Sequence, residues 1–275
     1  MISELKASEF YKCKELLYEE GHLEPKAIIE GKNSGRIFVD DINAPTSGLI
    51  WLGSNNGFIF IGNEENEGFN FELNNFFNTV IKSDANKVGL TAFEAIGNHS
   101  KWNETIKKVF GENLKSYNQR VYDLQKDHYR IQNEPVLEQG YEVRKITKNI
   151  LGNEGCLTFK NIGFLNSKIL EFWTSFERFL NNGIGYLVVY ESEIVSVCFS
   201  GAVAGNVHGI DIETLKHHQG KKLAQKVAHS FVQDCIENNL TPYWNCMEVN
   251  IPSNSVAEKI GFKNKFNYIW YSIPF

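Results

Sequence analysis

Two hydrophobic rhythms run along the chain, and their succession predicts its elements. In the first half a helix is expected over residues 3–20, with Leu5, Cys13, Leu16 and Leu17 as its apolar stripe and Gly21 as its stop. Short β-prone runs follow at 37–39, 49–52 and 58–61, set apart by turn-rich text such as Asn43-Ala44-Pro45 and Ser54-Asn55-Asn56-Gly57. Leu73, Phe76, Phe77, Val80 and Ile81 suit a helix, 88–93 a strand, 101–110 a second helix and 117–124 a further strand. In the second half, 141–146 reads as a strand, and Leu165, Ile169, Phe172, Trp173, Phe176, Phe179 and Leu180 as one amphipathic helix. The runs 186–190 and 194–200 flank Glu191-Ser192-Glu193, a three-residue hairpin connection. A strand at 242–245, a helix at 253–260 and a strand at 266–273 close the chain. Alternating strands and helices of this kind predict an α/β class with a mixed sheet in the C-terminal half and a smaller α/β domain before it. The expected division is 1–130 for an N-terminal domain, 131–140 for a polar, Pro135-containing linker and 141–275 for the second domain. Both halves run helix, strands, helix, strand, so a degenerate duplication of one fold stays open.

The stretch 208–224 carries the chemistry. Its first part alternates, with Ile210 and Ile212 on one face and Asp211 and Glu213 on the other. Its second part opens a helix whose apolar residues Leu223, Val227, Phe231 and Cys235 recur every fourth position. A strand, a short polar loop with Gly220 and a helix N-terminus make an anion cradle, because first-turn amides lack intrahelical partners and the helix dipole favours negative charge there. Lys221 and Lys222 stand at that entrance, where cations are unfavourable by roughly 0.3–1 kcal/mol each unless an anion binds beside them.

On these residues the chain resembles the GNAT acetyltransferases. Gln219-Gly220-Lys221-Lys222-Leu223-Ala224 is similar to their Gln/Arg-x-x-Gly-x-Gly/Ala signature, with Lys222 where glycine is usual. Pro242-Tyr243-Trp244-Asn245-Cys246, Asn250, Ser253, Ala257-Glu258-Lys259-Ile260-Gly261-Phe262 and the upstream run 35–41 resemble the subfamily that includes the zwittermicin-resistance acetyltransferase. The resemblance implies a GNAT-like fold in the C-terminal domain and acetyl-CoA as co-substrate. It implies cofactor contacts from the main chain of Ile212, Glu213 and Thr214, from the loop Gln219, Gly220, Lys221, Lys222, Leu223 and Ala224, and from Asn250 and Ser253. In many members the general base lies eleven residues before the signature, which is His208 here. Its imidazole, with an ordinary pKa near 6.5, suits base work near neutrality. Glu213 is the other candidate catalytic residue. A tyrosine acid four residues before Gly-Phe is usual in the family, but this chain has Ala257; Tyr243, Cys246 or Ser253 could substitute.

Composition narrows the class. With 33 acidic against 28 basic residues the net charge of -5 argues against nucleic acid as partner. No apolar run approaches the roughly 20 residues of a membrane span, and the first residues lack a secretory apolar core. Five widely spaced cysteines (Cys13, Cys156, Cys198, Cys235 and Cys246) without a Cys-x-x-Cys pair point to neither a disulfide framework nor a zinc site; Cys13, Cys198 and Cys235 read as core thiols. No metal site is expected, since His217 and His218 are adjacent rather than at i, i+4. The expectation is a cytoplasmic N-acetyltransferase acting on an amine of a small molecule, with a homodimer left open. Two other classes compete with it, a non-catalytic acyl-CoA-binding regulator and an aminoacyl-tRNA-dependent transferase.

Overall fold

The computed structural model describes residues 1–53, 57–111, 114–152 and 158–275; Cys156 and the Ser54-Asn55-Asn56 turn lie outside them. Two compact units divide the chain, Met1–Gln119 with Tyr268–Phe275, and Arg120–Asn267. The division differs from the expected 1–130, 131–140 and 141–275: the stretch 120–140 belongs to the second unit and the last eight residues to the first.

The first part of the chain forms β1 (Ser3–Glu4), a 3-10 helix at Ala7–Leu16, α1 (Leu23–Ile29), β2 (Arg36–Val39), β3 (Ser47–Trp51), β4 (Gly57–Gly62), α2 (Glu67–Phe76), α3 (Lys82–Lys87), β5 (Ala92–Gly97), α4 (Trp102–Phe110) and β6 (Lys115–Asp123). A π turn at Phe77–Ile81 joins α2 to α3. The second part forms β7 (Tyr141–Lys145), α5 (Lys148–Leu151), α6 (Ile162–Phe172), α7 (Phe176–Asn182), β8 (Gly185–Tyr190), β9 (Glu193–Ala204), β10 (Val207–Thr214), α8 (Leu223–Glu237), β11 (Thr241–Met247), α9 (Ile251–Ile260) and β12 (Lys263–Pro274).

In the first unit the strand order is β1-β2-β3-β4-β5, followed by the C-terminal end of β12. β4 and β5 run parallel, whereas β12 joins β5 antiparallel through Trp270↔Ile96 to Pro274↔Ala92. The core beneath is aromatic: Phe58, Phe60, Phe93 and Trp102 are buried, and the Phe58 and Phe93 rings stack at 4.3 Å. Two expectations shift here. The helix over 3–20 becomes β1 plus a shorter 3-10 helix, because Ser3 and Glu4 pair with Val39 and Phe38 and the Leu5 amide donates to Ile37. The strand expected at 88–93 starts at Ala92, because the amides of Val88 and Leu90 turn back to the Ala85 carbonyl and close α3.

In the second unit the order is β6-β11-β10-β9-β8-β7, with β10 and β11 parallel and β7 to β10 antiparallel. One core, with Val227, Phe231 and Trp244, lies under α8; another, with Leu165, Ile169, Trp173 and Phe199, lies under α6 and α7. The amphipathic stretch 165–180 is two helices. Trp173 adopts an extended conformation, its buried indole N–H donates to the Ser200 carbonyl at 2.7 Å, and the Ser175 hydroxyl then caps α7 by accepting from Arg178. The β8–β9 hairpin turns on two residues rather than three: Glu191 and Ser192 both have positive φ and Tyr190 pairs with Glu193, the geometry of a type I′ turn. The stretch read as a linker is pinned. The Arg130 amide donates to Ile260, Gln225 donates to the Asn133 carbonyl, and Lys226 pairs with Glu134 at 2.6 Å. Polar composition resembled a spacer, yet these side chains serve α8 and α9.

Candidate active site

The site begins where two strands part. β10 pairs with β9 along its length but with β11 only at Val207↔Thr241, His208↔Pro242 and Gly209↔Tyr243. A register shift at Gly209/Ile210 marks the same point, and bulges of this kind bend a strand and end its pairing. Beyond it lies a cavity of about 770 Å³. Ile212, Glu213 and Thr214 form one wall and Trp244 the other; Gln219, Gly220, Lys222, Leu223 and Ala224 line the loop and first turn of α8, and Asn250 and Ser253 the start of α9.

The loop is shaped by local chemistry. Gly220 has φ of 80°, where only glycine sits without strain. Lys222, the residue before α8, is left-handed as well, at φ 61° and ψ 18°, and its side chain makes no cap. The first turn of α8 holds no acidic residue of its own to offset its dipole. Gln219 ties the loop down by donating to the Thr214 carbonyl at 3.1 Å. The two lysines part company. Lys221 does not line the cavity; its ammonium donates to the Tyr141 hydroxyl at 2.8 Å, which raises its pKa, and Tyr141 in turn meets His218 Nδ1 at 2.9 Å. Lys222 lines the cavity and has no carboxylate partner among the described residues. On the far wall Asn250 caps α9 by accepting from the Ser253 amide, and the Ser253 hydroxyl accepts from Trp244 Nε1 at 3.0 Å. Ala257 is fully buried against the α8 core. Of the other candidate acids, Tyr243 is buried and Cys246 half-buried, its thiol pushed up chiefly by burial.

The two candidate bases sit differently. His208 is buried, does not line the cavity, and has Nδ1 2.9 Å from the Ser200 hydroxyl. Glu213 lines the cavity, and its carboxylate is 2.6 Å from the Lys168 ammonium of α6. A third group, not singled out from sequence, completes the picture. Asp211 points to the same side as Glu213 by strand alternation, and its carboxyl is pushed up to about 6. Burial is the main cause; Lys168 opposes it, while Glu171 and Glu213 add to it. Alternation displayed Asp211 beside Glu213 in the sequence, but the helix packed over them was legible only in three dimensions. Among the described residues no group of His, Cys, Asp and Glu could hold a metal ion. No described helix is long and apolar enough to cross a membrane.

A mixed sheet whose two parallel strands splay beside a helix N-terminus defines a GNAT-like α/β protein. The chain belongs to the GNAT acetyltransferase family, whose model matches residues 14–271. It is 26% identical over 248 residues to the uncharacterized N-acetyltransferase YdfB of Bacillus subtilis (strain 168), covering 90% of this chain and 88% of that protein. Among solved structures, a GCN5-related N-acetyltransferase-like protein from Streptococcus suis 89/1591 superposes with a TM-score of 0.68 at 20% identity, over 96% of this chain and 98% of that one. A tandem GNAT protein from the clavulanic acid biosynthesis pathway superposes with a TM-score of 0.63 at 10% identity, over 100% and 98%. These structures share the fold with both units, so the likeness is not confined to the second half.

Proposed function

We propose that this protein transfers the acetyl group of acetyl-CoA to an amine of a small molecule by direct attack, in the cytoplasm. The observation that carries the reading is the parting of β10 from β11 beside the uncapped N-terminus of α8. The residues fit the co-substrate. First-turn amides and Lys222 suit a pyrophosphate, and the edge of β10 at Ile212 to Thr214, which β11 does not pair, suits the amides of a pantetheine arm. Gln219, Gly220, Leu223, Ala224, Asn250 and Ser253 would surround the phosphates and the upper arm; Lys221, tied to Tyr141, would act at longer range. The name N-acetyltransferase borne by YdfB supports an amine acceptor, and the resemblance to zwittermicin-resistance acetyltransferase supports a small one.

The chemistry asks for amine deprotonation, polarisation of the thioester carbonyl and departure of the thiolate. A main-chain N–H on the exposed edge of β10 can stabilise the developing oxyanion. With Ala257 buried where the family often carries a tyrosine, the thiolate leaves without an acid from that position. Calorimetry tests the binding step. Acetyl-CoA should bind with an affinity that falls as salt rises, and Gly220→Pro, which cannot adopt a positive φ, should abolish binding while leaving the fold intact by circular dichroism. Absence of heat and of any thermal shift with acetyl-CoA would overturn the proposal. Thiol release in the presence of amines separates a transferase from a non-catalytic acyl-CoA binder.

A further inference from the structure

Resting on the transferase reading above, we propose that Asp211, rather than His208 or Glu213, is the general base that takes the amine's proton. Position is the first argument. With phosphates at the loop 219–224, an arm about as long as four extended residues, roughly 13 Å, runs down β10 from Thr214 and ends beside Ile210 and Asp211. That is the vertex where β10 and β11 come together at Gly209 and Tyr243, so the thioester has nowhere further to go.

Availability is the second argument. Glu213 is engaged by the Lys168 ammonium of α6 at 2.6 Å, which holds its carboxylate against that helix. His208 is buried within the sheet and its Nδ1 is held by the Ser200 hydroxyl, whereas Asp211 is only half-buried. Among the described residues no side-chain hydrogen bond engages the Asp211 carboxyl, although its backbone is paired to β9. Gly201 places Phe172 and Asp211 together: a Cβ there would lie 3.3 Å from the Phe172 ring and 3.5 Å from the Asp211 Cβ. The titratable groups facing Asp211 are Lys168 and Glu171 from α6, Glu213 from its own strand and Cys198 from β9; the apolar neighbours are Phe172 and Phe199. Burial and the two neighbouring carboxylates push the Asp211 carboxyl up to about 6 against the pull of Lys168, a range in which a base both accepts and returns a proton.

The step balances. Asp211 takes one proton from the acceptor ammonium; the freed lone pair attacks the thioester carbon, the C–N bond forms and the C–S bond breaks. The nitrogen's second proton goes to the departing thiolate, and Asp211 passes its own to water. Lys168 is a positioning residue: it holds Glu213 and lowers the pKa of Asp211 without touching the reacting atoms.

The test uses the full chain, acetyl-CoA and a panel of amines (spermidine, an amino acid and an aminosugar), with thiol release followed from pH 5 to 9. Asp211→Asn should lower kcat roughly 10²- to 10⁴-fold with the acetyl-CoA Kd unchanged. Its remaining rate should climb with the acceptor's free-amine fraction, whereas the wild type levels off above pH 7. Lys168→Gln should move the acidic limb of the wild-type profile upward, and His208→Gln should cost less than tenfold in kcat. Carbon-13 NMR of labelled aspartate should show the Asp211 carboxyl titrating above the ordinary carboxylate range. An Asp211→Asn variant with wild-type kcat and pH profile, or a larger loss in His208→Gln, overturns the assignment while leaving the transferase reading standing. A wild type that binds acetyl-CoA but releases no thiol with any amine overturns the transferase reading and the base together.

Discussion

Lys222 holds two opposing demands in one residue. A non-glycine residue in the left-handed region costs roughly 1–2 kcal/mol, and a lysine before a helix N-terminus adds an unfavourable dipole interaction. Both penalties make sense at a place built to meet an anion. Lys222→Gly should therefore raise stability by about 1 kcal/mol in urea titrations while weakening acetyl-CoA binding and flattening its salt dependence. Asp211 shows the same trade. Its folded pKa of about 6 lies above the usual 3.8, so the folded state holds its proton more tightly than the unfolded chain. Stability then falls as pH rises from about 4 to about 6 and is constant above. Asp211→Asn should lift stability at pH 7 by roughly 1–3 kcal/mol, a gain that disappears at pH 4 when urea midpoints are compared.

At the scale of elements, the break between α6 and α7 shows how a single side chain redirects a strongly periodic stretch. Trp173 falls on the apolar stripe, and its ring is wanted in the core; its N–H must also find a buried acceptor, which the Ser200 carbonyl supplies and a continuous helix would not. Trp173→Phe should cost about 1–3 kcal/mol by thermal or urea unfolding, since that carbonyl loses its donor. Ser175→Ala should cost about 1 kcal/mol through the lost cap. The hairpin at Glu191 and Ser192 carries the same lesson. No glycine or asparagine announces a two-residue type I′ turn, and the pairing of Tyr190 with Glu193 imposes one nonetheless. The strand and helix periods around these points were readable; where each element stops depended on hydrogen bonds made by distant residues.

At the scale of the whole chain, each unit ends on a strand that sequence order would assign elsewhere. β6 follows the helices of the first unit, yet stands beside β11, where Arg120 pairs with Glu248 at 2.7 Å and Tyr122 donates to buried Asn254 at 2.6 Å. β12 follows the helices of the second unit, yet its last residues close the first unit's sheet at β5, with Tyr271 buried in that unit's aromatic core. A chain ending at Asn267 should lose the near-ultraviolet dichroism of the Phe58, Phe93 and Trp102 cluster, because β5 becomes an unpaired edge over an opened core. Retention of that signal would show that the first unit stands without its terminal strand.

By itself the sequence determined the α/β class, the two helix-and-strand halves and the strand-loop-helix stretch at 208–224, because periodicity, Gly220 and the misplaced lysines are local facts. The resemblance to GNAT enzymes followed from the same residues. Tertiary structure alone decided which units the strands complete, that residues 126–140 brace α8 and α9, and that Lys222 rather than Lys221 faces the cavity. It also decided which acid is available. His208, Asp211 and Glu213 share one strand, but burial, a hydrogen bond to Ser200 and the reach of Lys168 across from α6 set their chemistry, and none of those is a property of the strand that carries them.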